Sequence, residues 1–175
     1  GPLETNCVLM MDPASKTCLV VDPGDEAEKI LAMIRSHFGC LDGFETTVVL
    51  THCHFDHATA LEQVRESLKA RVLIHQNDLP LYRTLGVQPA MFGMPPMERP
   101  PQGPPSDFLD ESKELRVGNL TARVIHTPGH TPGSCSLYFS SLGLLLSGDT
   151  LFRGSIGRTD FPGGDSDAIV QSIRK

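Results

Sequence analysis

The chain has 175 residues, 39% of them hydrophobic and 21% charged, which suits one soluble domain with a real core. Its net charge of -6 speaks against a general nucleic-acid surface, and no apolar run reaches the length of a membrane span. Five cysteines, Cys7, Cys18, Cys40, Cys53 and Cys135, contain no C-x-x-C pair, so free thiols in the cytoplasm or an organelle matrix are expected.

The chain opens with Gly1-Pro2 rather than Met, which reads as a cloning scar or an internal start. Residues 18–21 form a short apolar strand closed by the turn Asp22-Pro23-Gly24. Asp25 is an expected N-cap for a helix with Ile30, Leu31, Ile34 and Phe38 on one side and Gly39 at its stop. A β-branched strand follows at 47–50, then a helix over about 58–68 with Leu61, Val64 and Leu68 at helical spacing, then a strand at 72–74. This alternation predicts a layered α/β domain. Between Pro89 and Pro105, seven prolines exclude regular helix or central strand, while Met91, Phe92, Met94 and Met97 make the stretch more apolar than a linker. It reads equally as a flap over a site or as a surface excursion. Strands are then expected at 120–126, 134–139 and 144–146, the first after a turn at Gly118-Asn119. A last helix, capped by Asp165 or Ser166, carries Ile169, Val170 and Ile173.

The chemistry concentrates in Thr51-His52-Cys53-His54-Phe55-Asp56-His57, where three imidazoles and a carboxylate fall within six positions. The stretch sits on a strand-to-helix turn, the place where open α/β sheets put their ligands. Imidazole and carboxylate are donors for zinc and for borderline metals such as iron and manganese. His130, in a Pro/Gly-rich turn, and Asp149, in Gly148-Asp149, also arrive just after strands, so all of them can meet on one sheet edge.

Together T-H-C-H-F-D-H, T-P-G-H-T-P-G-S, S-G-D-T-L-F and G-R-T-D-F-P-G-G-D resemble the metallo-β-lactamase superfamily, and within it the glyoxalase II-like (hydroxyacylglutathione hydrolase-like) thioesterases. G-P-L-E-T-N-C and V-V-D-P-G-D match the same group, so the resemblance spans nearly all of residues 1–175 as a single domain. It implies an αββα sandwich with a two-metal site at one edge. His52, His54 and His130 match the ligands of the first metal, Asp56 and His57 those of the second, and Asp149 the carboxylate that bridges both. It also implies a last ligand, a His in a later G-H-G-type loop, and a strand before G-P-L. Neither is in this sequence, so the resemblance implies a chain trimmed at both ends, with two zinc ions expected for a full-length one.

The donor set has its own logic. Three neutral imidazoles leave a metal its full charge, and water on such a metal is acidified to a pKa of about 7. Attack on a thioester carbonyl then releases a thiol of pKa about 8.5, so no general acid is needed. Asp56, His130 and Asp149 are the expected catalytic residues. Arg158 reads as a surface arginine or, by resemblance, as the cation that grips a glutathione carboxylate; Arg153 is a weaker candidate. Asp22 reads as a turn residue, His75 as support for the site or surface, and His126 as buried and hydrogen-bonded or not. Cys53 points away from the metal by alternation and reads as packing. The expected function is hydrolysis of a small thioester, S-lactoylglutathione foremost, with no nucleic-acid or membrane partner. The rivals are a one-iron persulfide dioxygenase, a hydrolase of another ester, lactone or phosphodiester, and a weakly catalytic binding module.

Overall fold

The structure is a computed structural model and describes residues 3–39 and 42–175. The reading of Gly1-Pro2 as a scar, and of Cys40 as a free thiol, lies outside the described residues. Two sheets lie face to face. The first has the order β1 (Val8–Asp12), β2 (Thr17–Val21), β3 (Glu45–Val49), β4 (Arg71–His75), β5 (Asp107–Leu109). Strands β2 to β5 are parallel, and β1 is antiparallel to β2. The second sheet is wholly antiparallel, in the order β6 (Glu114–Val117), β7 (Leu120–His126), β8 (Cys135–Phe139), β9 (Leu144–Leu146).

The carboxyl ends of β2 and β3 and the middle of β4 are apolar without alternation because both their faces are covered. Val20, Val48 and Val72 are in register across β2, β3 and β4, and each is fully buried. They face α1 (Ala27–Phe38) and α2 (Leu61–Leu68), against Ile30, Ile34, Leu61 and Val64. Their neighbours Leu19, Val21, Val49 and Leu73 point the other way, onto Leu115, Val124, Leu137 and Phe139 of the second sheet. Each such side chain removed from water contributes about 1.5–3 kcal/mol, so these two layers carry the fold. The sheets are also stitched by a backbone bond of 2.8 Å, from the Cys135 N–H to the Thr51 carbonyl.

Several expectations are corrected. Asp25 does not cap α1: its Oδ1 accepts the N–H of Glu26 next to it, and Glu26 itself holds the N-cap in the left-handed region at φ 56°. Bonded to its own neighbour, the Asp25 carboxylate cannot reach the second or third helical amide. Phe38 lies 41% exposed, so the buried face of α1 is Ala27, Ile30, Leu31 and Ile34. Gly39 ends α1 as expected, its N–H bonding the Arg35 carbonyl. Helix α2 begins at Leu61 rather than near 58, because Phe55–His57 is wound as a 3-10 turn. A short helix α3 (Leu79–Thr84) was not expected; six residues with a proline inside give no helical period. Strands β1, β5 and the small hairpin of β10 (Leu151–Phe152) and β11 (Ser155–Ile156) were not expected either. At the end, Asp165 caps α4 (Ser166–Ile173) through bonds of 2.9 Å to the N–H groups of Asp167 and Ala168. Of the apolar residues expected to pack there, only Ile169 is fully buried. This helix stands against the loop after β7, where the Ser172 hydroxyl donates to the Pro128 carbonyl.

Cys18, Cys53 and Cys135 are buried, and Cys53 packs in the core as its alternation suggested. Burial pushes the thiols up, Cys18 to about 11 and the partly buried Cys7 to about 12. Among the described residues, no helix is long and apolar enough to cross a membrane.

Candidate metal centre

The carboxyl ends of β2, β3 and β4 lie at one edge of the first sheet, and the ends of β7 and β9 come to the same edge of the second. The loops leaving these strands carry Asp22, Thr51 to His57, Asp78, His130 and Asp149. Their nitrogen and oxygen atoms form two groups. One consists of His52, His54 and His130, the other of His52, His57 and Asp149, and the donor atoms in each lie within 4.8 Å of one another. His52 belongs to both.

In the first group the rings stand edge to face, with centroids 4.6–4.8 Å apart. His54 Nδ1 and His130 Nε2 approach to 2.9 Å. His130 Nδ1 donates to the Arg158 carbonyl at 2.7 Å, which fixes the tautomer and leaves the Nε2 lone pair facing the cluster. His52 Nε2 is buried and has no hydrogen-bond partner among the described residues. A buried orphan nitrogen is costly unless something binds it. Burial first, and the neighbouring imidazoles second, hold His54 down at about 3 and His52 well below the usual histidine range, so both rings are neutral ligand-type donors.

The second group is electrostatically different. His57 Nδ1 donates to Asp22 Oδ2 at 2.9 Å, because a carboxylate can only accept. His57 Nε2 then faces Asp149 Oδ1 at 3.2 Å and Asp56 Oδ2 at 3.6 Å. Burial opposes charge on this ring, yet Asp22, Asp149 and Asp56 together raise it to about 10. The surroundings therefore favour a cation at this spot. Asp149 joins the two groups: its Oδ2 lies 3.6 Å from His130 Nε2 while its Oδ1 faces His57. Burial works to raise its carboxyl, but the bond from His57 and the nearby imidazoles hold it below the usual range. The orphaned nitrogen, the imidazole trio and the carboxylate-rich second group all fit divalent metal ions.

Each expected site residue has a place. His52, His54, His57, His130 and Asp149 come together. Asp56 stands beside the second group rather than inside it, its Oδ2 also accepting from the Thr5 hydroxyl at 3.3 Å. Arg158 grips Asp160 through Nε at 2.7 Å and a terminal nitrogen at 2.6 Å, and lies 3.9 Å from the centre of the Phe161 ring. Arg153 is exposed, on the rim of a separate cleft of about 580 Å³ that reaches Asp22, His57 and Asp149. His75 and His126 stack on each other with centroids 4.0 Å apart, and His126 Nε2 bonds the Pro132 carbonyl, so neither ring is a ligand in the two groups.

Three residues that organise this edge escaped the sequence reading. Asp22 is no mere turn residue: its carboxylate is buried, at φ 50°, and takes the Thr51 N–H and hydroxyl at 2.7 Å each besides His57. Asp78 accepts from the Cys53 N–H, the Thr131 hydroxyl and the Gly133 N–H. Gln88 accepts the Phe55 N–H and donates to the carbonyls of Cys53 and Leu81. Asp22 and Asp78 both lie just past ends of parallel strands, the signal that picked out the histidines. Gly148 completes the packing, since a Cβ there would overlap the Thr51 hydroxyl, and its φ is 48°. Gly148→Ala is therefore expected to cost about 2–4 kcal/mol, combining left-handed strain with overlap. Urea denaturation checks this; an unchanged midpoint would show that the loop has slack.

The sequence profile of the Metallo-beta-lactamase superfamily matches residues 1–175. The hydroxyacylglutathione hydrolase GloC of Haemophilus influenzae is 33% identical over 172 residues, covering 98% of this chain and 78% of its own. The probable metallo-hydrolase YqgX of Bacillus subtilis is 34% identical over 176 residues, covering 100% and 79%. Among solved structures, TTHA1623 in a di-iron-bound form superposes with a TM-score of 0.82 at 36% identity, covering 99% of this chain and 81% of its own. Motifs, sandwich and histidine edge agree: the chain belongs to the metallo-β-lactamase superfamily of metallo-hydrolases, in a branch whose relatives include hydroxyacylglutathione hydrolases.

Proposed function

We propose that this chain hydrolyses a small thioester in a metal-dependent reaction, with S-acylglutathiones such as S-lactoylglutathione as the reference substrates. The observation that carries the reading is Asp149, one carboxylate whose two oxygens face two different groups of donors. His52, His54 and His130 would hold one metal; His57 and Asp149, with Asp56 adjacent, would hold another. The donor set suits zinc, and accepts iron or manganese. A divalent metal bound there supplies Lewis acidity to the substrate carbonyl and acidifies water.

The protein's own contribution is positional. Asp22 orients His57, the Arg158 carbonyl orients His130, and Asp149 keeps the two groups at a fixed separation. In the balanced reaction, water oxygen forms the new C–O bond, the C–S bond breaks, and a carboxylic acid and a thiol leave. The low pKa of a thiol relative to an alcohol makes a protein acid unnecessary at this step. The relationship to GloC supports the thioester class.

The test is direct. Zinc- and iron-loaded protein is mixed with S-lactoylglutathione, and free thiol and dissolved oxygen are followed together. Thiol release at constant oxygen is the expected result. Oxygen uptake with glutathione persulfide, alongside negligible thioester cleavage, would overturn the proposal in favour of an oxidoreductase.

A further inference from the structure

A cavity of about 350 Å³ opens onto the metal edge. His54, His130 and Asp149 lie at its base, and Leu81, Met91, Phe92, Met94, Phe161 and Pro162 are among its walls. Phe92 bridges two sides, with ring centroids 5.5 Å from Phe55 and 5.4 Å from Phe161. The proline-rich stretch supplies Met91, Phe92 and Met94, so its beginning is a cavity wall.

The polar groups on these walls are already engaged. Gln88 spends its amide on three backbone partners. The Thr84 hydroxyl donates to the carbonyls of Pro80 and Leu81. Arg158, the one arginine or lysine among the described lining residues, is held by Asp160 and lies against Phe161, so its charge is compensated. Away from the metal edge, the cavity thus offers apolar contact rather than free donors. The cleft bordered by Arg153 reaches the same Asp149 from elsewhere and holds an exposed cation. A thioester lying across Asp149 has a polar half and an acyl half. The Arg153 cleft, although Leu145, Leu146, Leu151 and Phe152 also line it, is the one of the two with an exposed arginine unpaired among the described residues, beside the polar side chains of Glu4, Thr5 and Asn6.

Building on the thioesterase reading, we infer that the 350 Å³ cavity is an acyl pocket, and that the substrates it favours carry an apolar acyl chain or ring rather than a 2-hydroxyacyl group. The thiol half then lies toward Arg153. Methyl and methylene groups enter against Met91, Met94 and the three phenylalanine rings, while the carbonyl stays at the metal edge.

Two measurements keep pocket and reaction apart. The first is calorimetric binding of S-hexylglutathione and S-methylglutathione, thioethers that cannot be hydrolysed, to the whole chain. The hexyl compound should bind at least about tenfold tighter, since each methylene withdrawn from water gives about fourfold. Phe92, 47% exposed, can be cut back with the fold intact; Phe92→Ala should shrink the hexyl preference at least about threefold. A thermal melt confirms that the variant is folded. Equal binding of the two thioethers, or a preference indifferent to Phe92, overturns the pocket. The second measurement compares turnover of S-hexanoylglutathione and S-lactoylglutathione by the metal-loaded protein. A kcat/KM ratio of about ten or more for hexanoyl is expected, and a ratio of one or below overturns the acyl assignment. If the hexyl thioether binds tightly through Phe92 and neither thioester is cleaved, the thioesterase reading fails while an apolar ligand pocket remains established.

Discussion

Asp149→Asn is expected to lower kcat for the proposed thioester cleavage by at least about a hundredfold, the scale of removing a metal-site or electrostatic group. The substitution keeps the size of the side chain and removes its charge. It replaces one of the two oxygens that face His57 and His130 with an amide nitrogen, which donates and cannot ligate. The second group then loses a carboxylate at the position where the surroundings hold His57 up at about 10. Metal analysis should show one ion per chain lost or exchanging faster than in the parent. Asp149 is 27% exposed at its side chain and lies in a loop, so unfolding by urea should change little in the metal-free protein. An Asn variant that keeps both its metal content and its rate would remove Asp149 from the mechanism.

Asp78→Ala is expected to be the most destabilising change at this edge, by about 3 kcal/mol or more. The carboxylate is fully buried, and burial raises it although three donors act in the opposite direction. Those donors come from separate loops: the Cys53 N–H at 2.9 Å lies between two ligand-type histidines, and the Thr131 hydroxyl and Gly133 N–H at 2.9 and 2.6 Å flank the turn after His130. Truncation strands the Cys53 and Gly133 amides without solvent, at about 1–3 kcal/mol for each group left unsatisfied, and leaves the Thr131 hydroxyl only its contact with Ser134 at 2.8 Å. It also frees the His54 and His130 loops from each other, so metal affinity should fall with stability. Asp78→Asn retains one acceptor oxygen but turns an N–H group toward a donor, and should fall between parent and alanine. Chemical denaturation of the three proteins, with and without zinc, gives the order. Equal stability of Asp78→Ala and parent would mean that water takes over these bonds.

The ligand-type residues were legible because their signal is local. Four donors in six positions need no fold to be noticed, and the apolar strands before Thr51, His130 and Asp149 placed them at ends of strands. The parallel core was legible for the same reason: Leu19-Val20-Val21, Val48-Val49 and Val72-Leu73-Ile74 are uninterrupted apolar runs within β2, β3 and β4, as strands covered on both faces must be. What escaped notice acts over distance. Asp22 reaches 29 residues to Thr51, and Asp78 reaches 55 to Gly133; nothing in V-V-D-P-G or H-Q-N-D announces a partner so far along the chain. The Asp25 cap failed on a matter of one residue, since the helix starts later than its best capping side chain. The stretch from Pro89 was ambiguous because proline reports only backbone restriction. Its methionines and Phe92 acquire meaning once His54 and Phe161 stand opposite.

The four described cysteines give the chain an internal clock. Three are sealed in the two apolar layers, and all four hold their protons far above neutral pH. Alkylating reagents attack thiolate, so at the fully buried Cys53 the reaction waits for the surrounding structure to open. The rate at which this thiol, enclosed between ligand-bearing residues, takes up label therefore measures how often the edge of the two sheets comes apart, and a bound ion that holds the edge closed would be read as a slower clock.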